Sequence, residues 1–305
     1  MYPLAIVVLI LFGLSQIRIF FFALKFSTKD SVVHDYKPTL KENRDWCPQA
    51  SCNSTDVCHP CSRRFLLVLA TGRSASTTLK NMLRNLPGVR MAGENDNALR
   101  KIKDMITALQ PYIDDHRLTN LSSWQHNPIP SQAFACVAQQ VVETIVPPLL
   151  DEAGHVLEDD SSTILGFKTI RFLQYATREH DEPFVNFVKN MFPCSKIVVN
   201  IRSDTNAQVK SRVVAFNEVE ENARKRLDEE NDRLRTVAKL FGDMAIFIDS
   251  SKWTKDANEF NKVVDWLGFH ESCRFKELLH FNANQSSAIL GSSHFELSPS
   301  CKYVT

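Results

Sequence analysis

The sequence predicts an α/β fold, a parallel sheet flanked by helices. Three observations predict it. Short apolar runs alternate with segments of helical period along most of the chain. The runs are continuous in their apolar character, as strands buried on both faces are. The chain has 305 residues, of which 44 % are apolar, enough to fill one large core.

Taken in order, Phe65 to Ala70 is the first run and reads as a buried strand. Thr71 to Thr77 is a loop of small residues. Thr78 to Leu86 reads as a helix with Leu79, Met82, Leu83 and Leu86 on one face, ended by Pro87 and Gly88. Phe134 to Leu150 reads as a helix ending near Pro147. Thr163 to Lys168 is a second strand and Pro183 to Phe192 a helix. Lys196 to Ile201 is the clearest strand of all. One long helix follows, with a stripe of Phe216, Val219, Ala223, Leu227, Leu234, Val237 and Leu240. Ala245 to Asp249 is a fourth strand, and Asp256 to Leu267 a helix stopped by Gly268. Strands alternating with helices in this way pair in parallel.

The first 62 residues differ in character. Pro3 to Leu24 is apolar except for Ser15, Gln16 and Arg18, and is long enough to span a bilayer, for which roughly 20 residues suffice. Arg18 lies near the far end and can snorkel. Lys25 and Lys29 follow the segment and nothing basic precedes it, which argues against a cytoplasmic N-terminus. The expectation is a membrane anchor over residues 1–26, with a cleaved signal peptide as the alternative. Residues 27–62 are polar and read as a stem. Residues 63–305 read as the folded domain.

Eight cysteines follow the apolar segment: Cys47, Cys52, Cys58, Cys61, Cys136, Cys194, Cys273 and Cys301. An even count behind such a segment reads as disulfides of an oxidising lumen. Glycosylation sequons at Asn53, Asn120 and Asn284 agree with a lumenal position. The four cysteines of the stem could also hold zinc, but their spacing matches no standard site. Basic and acidic residues number 36 and 35, so no general polyanion surface is implied and nucleic acid is not an expected partner.

The segment that carries chemistry is Thr71-Gly72-Arg73-Ser74-Ala75-Ser76-Thr77-Thr78, between the first strand and the first helix. A loop in that position aims backbone N–H groups and a helix N-terminus at an anion. Arg73 adds a permanent, forked positive charge, and the hydroxyls add donors. The plainer reading is a βα loop with Thr77 as a hydroxyl N-cap. A nucleotide-triphosphate loop needs a second glycine followed by Lys and Ser or Thr. Both the glycine and the Lys are missing here. Asp249 alone ends a later strand as a conceivable Mg²⁺ ligand, so metal-dependent phosphoryl transfer is disfavoured.

This loop resembles the 5′-phosphosulfate loop of the sulfotransferases, in the Arg form of Golgi carbohydrate enzymes. Two further segments resemble the same family. Leu165-Gly-Phe-Lys168-Thr-Ile-Arg171 is similar to its Leu-Lys-x-x-Arg strand. Lys196 to Arg202, followed by Ser211, is similar to its 3′-phosphate segment. The likeness spans roughly residues 64–270. The interval from Arg202 to Ser211 is one residue longer than usual, a helical turn of ~100°, and the usual Pro after the Arg is absent.

The resemblance implies a P-loop-like domain, anchored in the Golgi membrane and facing the lumen. It would use 3′-phosphoadenosine-5′-phosphosulfate as co-substrate, without metal. Gly72, Arg73, Ser74, Ala75, Ser76, Thr77 and Thr78 would hold the 5′-phosphate, and Arg202 with Ser211 the 3′-phosphate. Lys168 and Arg171 would reach the sulfuryl group or the acceptor. Glu94, soon after the first helix, is the expected general base, with His126 in reserve. The acceptor is expected to be a carbohydrate hydroxyl. A protein-tyrosine acceptor, and a non-catalytic glycan-binding protein on the same fold, are the alternatives.

Overall fold

The computed structural model describes residues 46–47, 59–94, 97–109, 131–148, 163–170, 178–276, 297–298 and 301. Among them, five strands form one sheet: β1 (Arg64–Ala70), β2 (Val89–Ala92), β3 (Ile164–Thr169), β4 (Ser195–Ile201) and β5 (Ala245–Asp249). The order is β2-β3-β1-β4-β5, and every pair is parallel. Eight helices connect and cover it: α1 (Ser76–Arg84), α2 (Ala98–Leu109), α3 (Ser131–Ile145), α4 (Asp181–Met191), α5 (Thr205–Phe216), α6 (Glu220–Phe241), α7 (Ser250–Trp253) and α8 (Ala257–Leu267).

The alternation along β1 explains the layering. Successive side chains of a strand point to opposite faces. Phe65, Leu67 and Leu69 join one buried cluster with residues of α2, α3, α4 and α6. Leu66 and Val68 join a second cluster with Leu79, Met82 and Leu83 of α1 and Val263, Val264 and Leu267 of α8. β1 is therefore covered on both faces, and all seven of its residues are buried. Gly166 sits where β2, β3 and β1 approach closely. A Cβ there would collide with Met91 Sδ and lie 2.6 Å from the Leu66 carbonyl oxygen.

Four of the five strands coincide with the apolar runs read from the sequence. β2 does not, being only four residues long and carrying Arg90. That guanidinium turns to the end of α3, donating to the carbonyls of Val146 (2.7 Å) and Pro147 (2.9 Å). The single long helix expected after β4 is two helices. Asn217, in the left-handed conformation, separates α5 from α6. Arg212 holds the hairpin by donating to Glu218 at 2.9 Å and Glu230 at 3.3 Å. Phe216, Val219 and Leu240, assigned to the buried stripe, are exposed, whereas Ala223, Leu227, Leu234 and Val237 are buried. Thr77 is not an N-cap. The helix starts at Ser76, and the capping position belongs to Ala75.

Disulfides join Cys47 to Cys194 and Cys273 to Cys301. Cys61 and Cys136 are also disulfide-bonded. The sulfurs of Cys47, Cys61 and Cys194 lie within 4.8 Å of one another. All three are oxidised, and a disulfide sulfur is not the thiolate a zinc site needs. Several residues of the segment read as a stem lie on the α/β domain: Cys47 and Cys61, which pack on the second cluster, Pro60, whose carbonyl accepts from Gln139 Nε2 at 2.9 Å, and Trp46, which is buried with the Lys196 ammonium 4.8 Å from its ring. The expected anchor, the three sequons, Cys52 and Cys58 lie outside the described residues. Among the described residues, no helix is long and apolar enough to cross a membrane.

Candidate functional site

The turn from β1 into α1 is held in an unusual shape. Arg73 (φ 65°) and Ala75 (φ 56°) both adopt the left-handed conformation. For residues with a Cβ this costs roughly 1–2 kcal/mol each. Such strain persists only where the surroundings over-determine it. Gly72, by contrast, needs no positive φ, and a Cβ placed on it would meet nothing within 4 Å. The glycine leaves open space beside the loop, and the bend falls on its neighbours.

What over-determines the loop is a set of buried hydrogen bonds. The Ser74 hydroxyl donates to the Thr71 carbonyl at 2.7 Å. Asn200, near the end of β4, donates through Nδ2 to the Ser74 carbonyl (2.7 Å) and Oγ (3.2 Å). Trp253 Nε1 orients that amide by donating to Asn200 Oδ1 at 2.9 Å. Gln208, on α5, donates through Nε2 to the Gly72 carbonyl (2.7 Å) and Thr71 Oγ1 (2.8 Å). Asn200 and Gln208 are completely buried.

The segment after β4 also brings its cation and hydroxyl to the loop. Asp204 caps α5 by accepting from the Ala207 N–H at 3.0 Å. This sets the phase of the helix, so that Gln208 and Ser211, three apart, share the face turned to the loop. Arg73 Nε donates to Ser211 Oγ at 2.8 Å, and Arg202 approaches the Arg73 carbonyl at 3.5 Å. The longer interval between Arg202 and Ser211 therefore does not carry Ser211 away. These groups meet at the carboxyl ends of β1 and β4. The chain leaves β1 towards one edge of the sheet and leaves β4 towards the other. Open α/β sheets form their binding crevice at such a divergence.

On the other side of β1 lies a second group. Lys168, near the end of β3, donates to Glu94 Oε1 at 2.9 Å and lies 3.4 Å from Thr77 Oγ1. Glu94 follows the end of β2 by two residues, and its side chain is 28 % exposed against 7 % for Lys168. Lys80 sits one helical turn beyond Thr77. Burial pushes its ammonium pKa down, and the nearby Lys168 and Arg84 charges add to that.

The structure thus brings Arg73, Arg202 and Ser211 into one cluster and Glu94, Lys168 and Thr77 into another, with α1 and its loop between them. Ser74, Ser76 and Thr78 are buried and only Thr77 is exposed, so the hydroxyls of the loop are not equivalent. Arg171 and His126 lie outside the described residues. Asp249 is engaged elsewhere. Its carboxylate accepts from the backbone N–H groups of Ser203 (3.0 Å) and Ser251 (2.9 Å). Burial pushes its pKa up, but those hydrogen bonds win and hold it below the usual value.

Sequence reasoning passed over Asn200, Gln208 and Trp253. One signal was present: Asn200 is an amide inside the otherwise apolar run Ile197 to Ile201, and a buried amide must find partners. Compared with known proteins, the chain matches no family model and no curated protein.

Proposed function

We propose that this protein transfers a sulfuryl group from 3′-phosphoadenosine-5′-phosphosulfate to an acceptor hydroxyl, on a P-loop-like domain. The observation that carries the reading is the hydrogen bond from Arg73 to Ser211, with Arg202 beside it. Two guanidinium groups, a hydroxyl and a helix N-terminus meet at one strand crevice. A donor with phosphates at both the 3′ and 5′ positions needs two adjacent anion sites, and ATP does not. The loop N–H groups, Arg73 and the open space beside Gly72 suit the 5′-phosphate. Arg202 and Ser211 suit the 3′-phosphate.

Sulfuryl transfer is an in-line displacement. The acceptor oxygen forms a bond to sulfur as the bond from sulfur to the 5′-phosphate oxygen breaks. Negative charge grows on the leaving phosphate, where Arg73 and the N-terminus of α1 stabilise it. The acceptor proton passes to the Glu94 carboxylate. Lys168 already spans Glu94 and Thr77. An ammonium has three donors, so it can also turn to a sulfuryl oxygen as the donor binds. Charge stabilisation and positioning are supplied by side chains, and no step calls on a metal.

The acceptor is proposed to be a carbohydrate, on the Arg form of the loop. The disulfides favour an oxidising compartment, in keeping with a Golgi-lumenal enzyme behind a membrane anchor. Transfer of radiolabelled sulfate from the donor to a panel of desulfated glycans and tyrosine-containing peptides, with a chelator and with Mg²⁺ in parallel, tests the activity. Label on a glycan supports it. Label confined to tyrosine peptides would reassign the acceptor. Transfer that requires Mg²⁺ would refute the mechanism.

A further inference from the structure

Four consecutive carbonyls of the loop are occupied from within the protein. Thr71 accepts from the Ser74 hydroxyl, Gly72 from Gln208, Arg73 from Arg202 and Ser74 from Asn200. An anion-binding turn must aim its N–H groups at the ligand and turn its carbonyl dipoles away. The carbonyls turned away then face the interior and need donors. Here two buried amides supply them at 2.7 Å, and both come from the segment that carries Arg202 and Ser211.

Gln208 makes a peculiar core residue. Its Nε2 has two acceptors, while its Oε1 is buried without a hydrogen-bond partner among the described residues. Flipping the amide would not help, since Oε1 would then oppose the Gly72 carbonyl. A buried acceptor without a partner weakens a fold. An aliphatic side chain of similar size would fill the space and remove that atom, but would leave the Gly72 carbonyl and Thr71 Oγ1 without their donor. What only the amide does is fix the carbonyl of Gly72, the residue just before left-handed Arg73.

We propose that Gln208, together with Asn200, is a positioning residue that holds the Thr71–Ala75 turn in its anion-receptive shape, so that affinity for the 5′-phosphate depends on it. This rests on the proposed function in naming the anion a 5′-phosphate. The shape of the turn is independent of that name.

The test is Gln208→Met in the full chain, with Gln208→Leu as a second variant in case methionine fits poorly. Calorimetric titrations use adenosine 5′-phosphate, adenosine 3′-phosphate and inorganic sulfate, and thermal unfolding is followed in parallel. Affinity for the 5′-phosphate should fall by about tenfold or more, the scale of one lost buried hydrogen bond. Affinity for the 3′-phosphate should stay within about twofold, and a cooperative unfolding transition should persist at a lowered Tm, since the variants remove the unpartnered Oε1 but leave the Gly72 carbonyl and Thr71 Oγ1 without their donor. A Tm that falls in both variants with unchanged 5′-phosphate affinity, or equal losses for the two monophosphates, would overturn the positioning role. If the wild-type chain binds sulfate but neither nucleotide, the donor assignment fails alone, and a tenfold loss of sulfate affinity in the variants still upholds the positioning role. If it binds none of the three, both fall.

Discussion

Changing Glu94 to Gln would isolate the proposed proton transfer from the other roles proposed for the site. The Glu94 carboxylate accepts from Lys168 at 2.9 Å, and a Gln carbonyl oxygen can accept the same bond. Its side chain is partly exposed, so solvent screens the pair, and losing its charge should cost about 1 kcal/mol or less. For a chain of this size, that is a Tm change of no more than about 2–4 °C. The 5′- and 3′-phosphate groups are assigned to Arg73, Arg202 and Ser211 on the far side of α1, so the affinity for 3′,5′-bisphosphoadenosine should stay within about twofold of wild type. Turnover should behave differently. A general base contributes about 10²- to 10⁴-fold, or roughly 3–5 kcal/mol of barrier. The assay is sulfate transfer at saturating donor, with bisphosphate affinity measured by calorimetry on the same preparation. Turnover close to wild type with intact donor affinity would refute the base assignment. A joint loss of turnover and donor affinity would mean that Glu94 supports the loop and does not handle the acceptor proton.

Three other outcomes are expected. Arg73→Ala should abolish bisphosphate binding and transfer while the cooperative unfolding transition persists, because Arg73 is part of neither core cluster; near-normal binding would remove the loop from the account. Gly166→Ala should destabilise the fold by about 3 kcal/mol, or prevent folding, since the new methyl meets the Leu66 backbone as well as Met91; a urea midpoint equal to that of wild type would contradict the close approach of the three strands. Asp249 titrates below its ordinary value in the folded chain, so its contribution to stability is complete above that ordinary value and is lost as pH falls through the lower, folded one. Urea unfolding followed from about pH 6 to pH 3 should therefore show a shallower acid decline in Asp249→Asn than in wild type.

What was legible in the sequence was what local rules decide. β1, β3 and β4 announce themselves because a strand buried on both faces is largely apolar, whereas β5, an edge strand with only Ile248 buried, shows itself only as a short apolar run. α8 announces itself through Asp256 at its start and Gly268, left-handed, at its end. β2 was hidden because four residues carry no period, and Arg90 within it reads as a surface charge until the end of α3 is placed beside it. The break between α5 and α6 was hidden because Phe216 and Val219 fit a helical stripe that the left-handed Asn217 interrupts. α2 had a usable pattern in Leu99, Ile102 and Ile106 and was passed over.

The site divides in the same way. Arg73 was singled out by its place in the loop after β1 and Glu94 by its place after the first helix, while Lys168, Arg202 and Ser211, the last on α5, were singled out by the resemblance of their segments to the sulfotransferases. Asn200 and Gln208 act on backbone carbonyls of a distant loop. Nothing in their own neighbourhood says which carbonyls those are, and only the pairing of β1 with β4 brings them together. The left-handed turn at Arg73 and Ala75 was equally hidden, because sequence rules assign such positions to glycine.

The most direct test of the central claim is calorimetric titration of the full chain with 3′,5′-bisphosphoadenosine in a chelator, with ADP as the control. The account predicts binding of the bisphosphate that ADP does not match, because only the bisphosphate fills the Arg202–Ser211 side as well as the loop. Equal affinity for the two, or binding of ADP alone on addition of Mg²⁺, would contradict it.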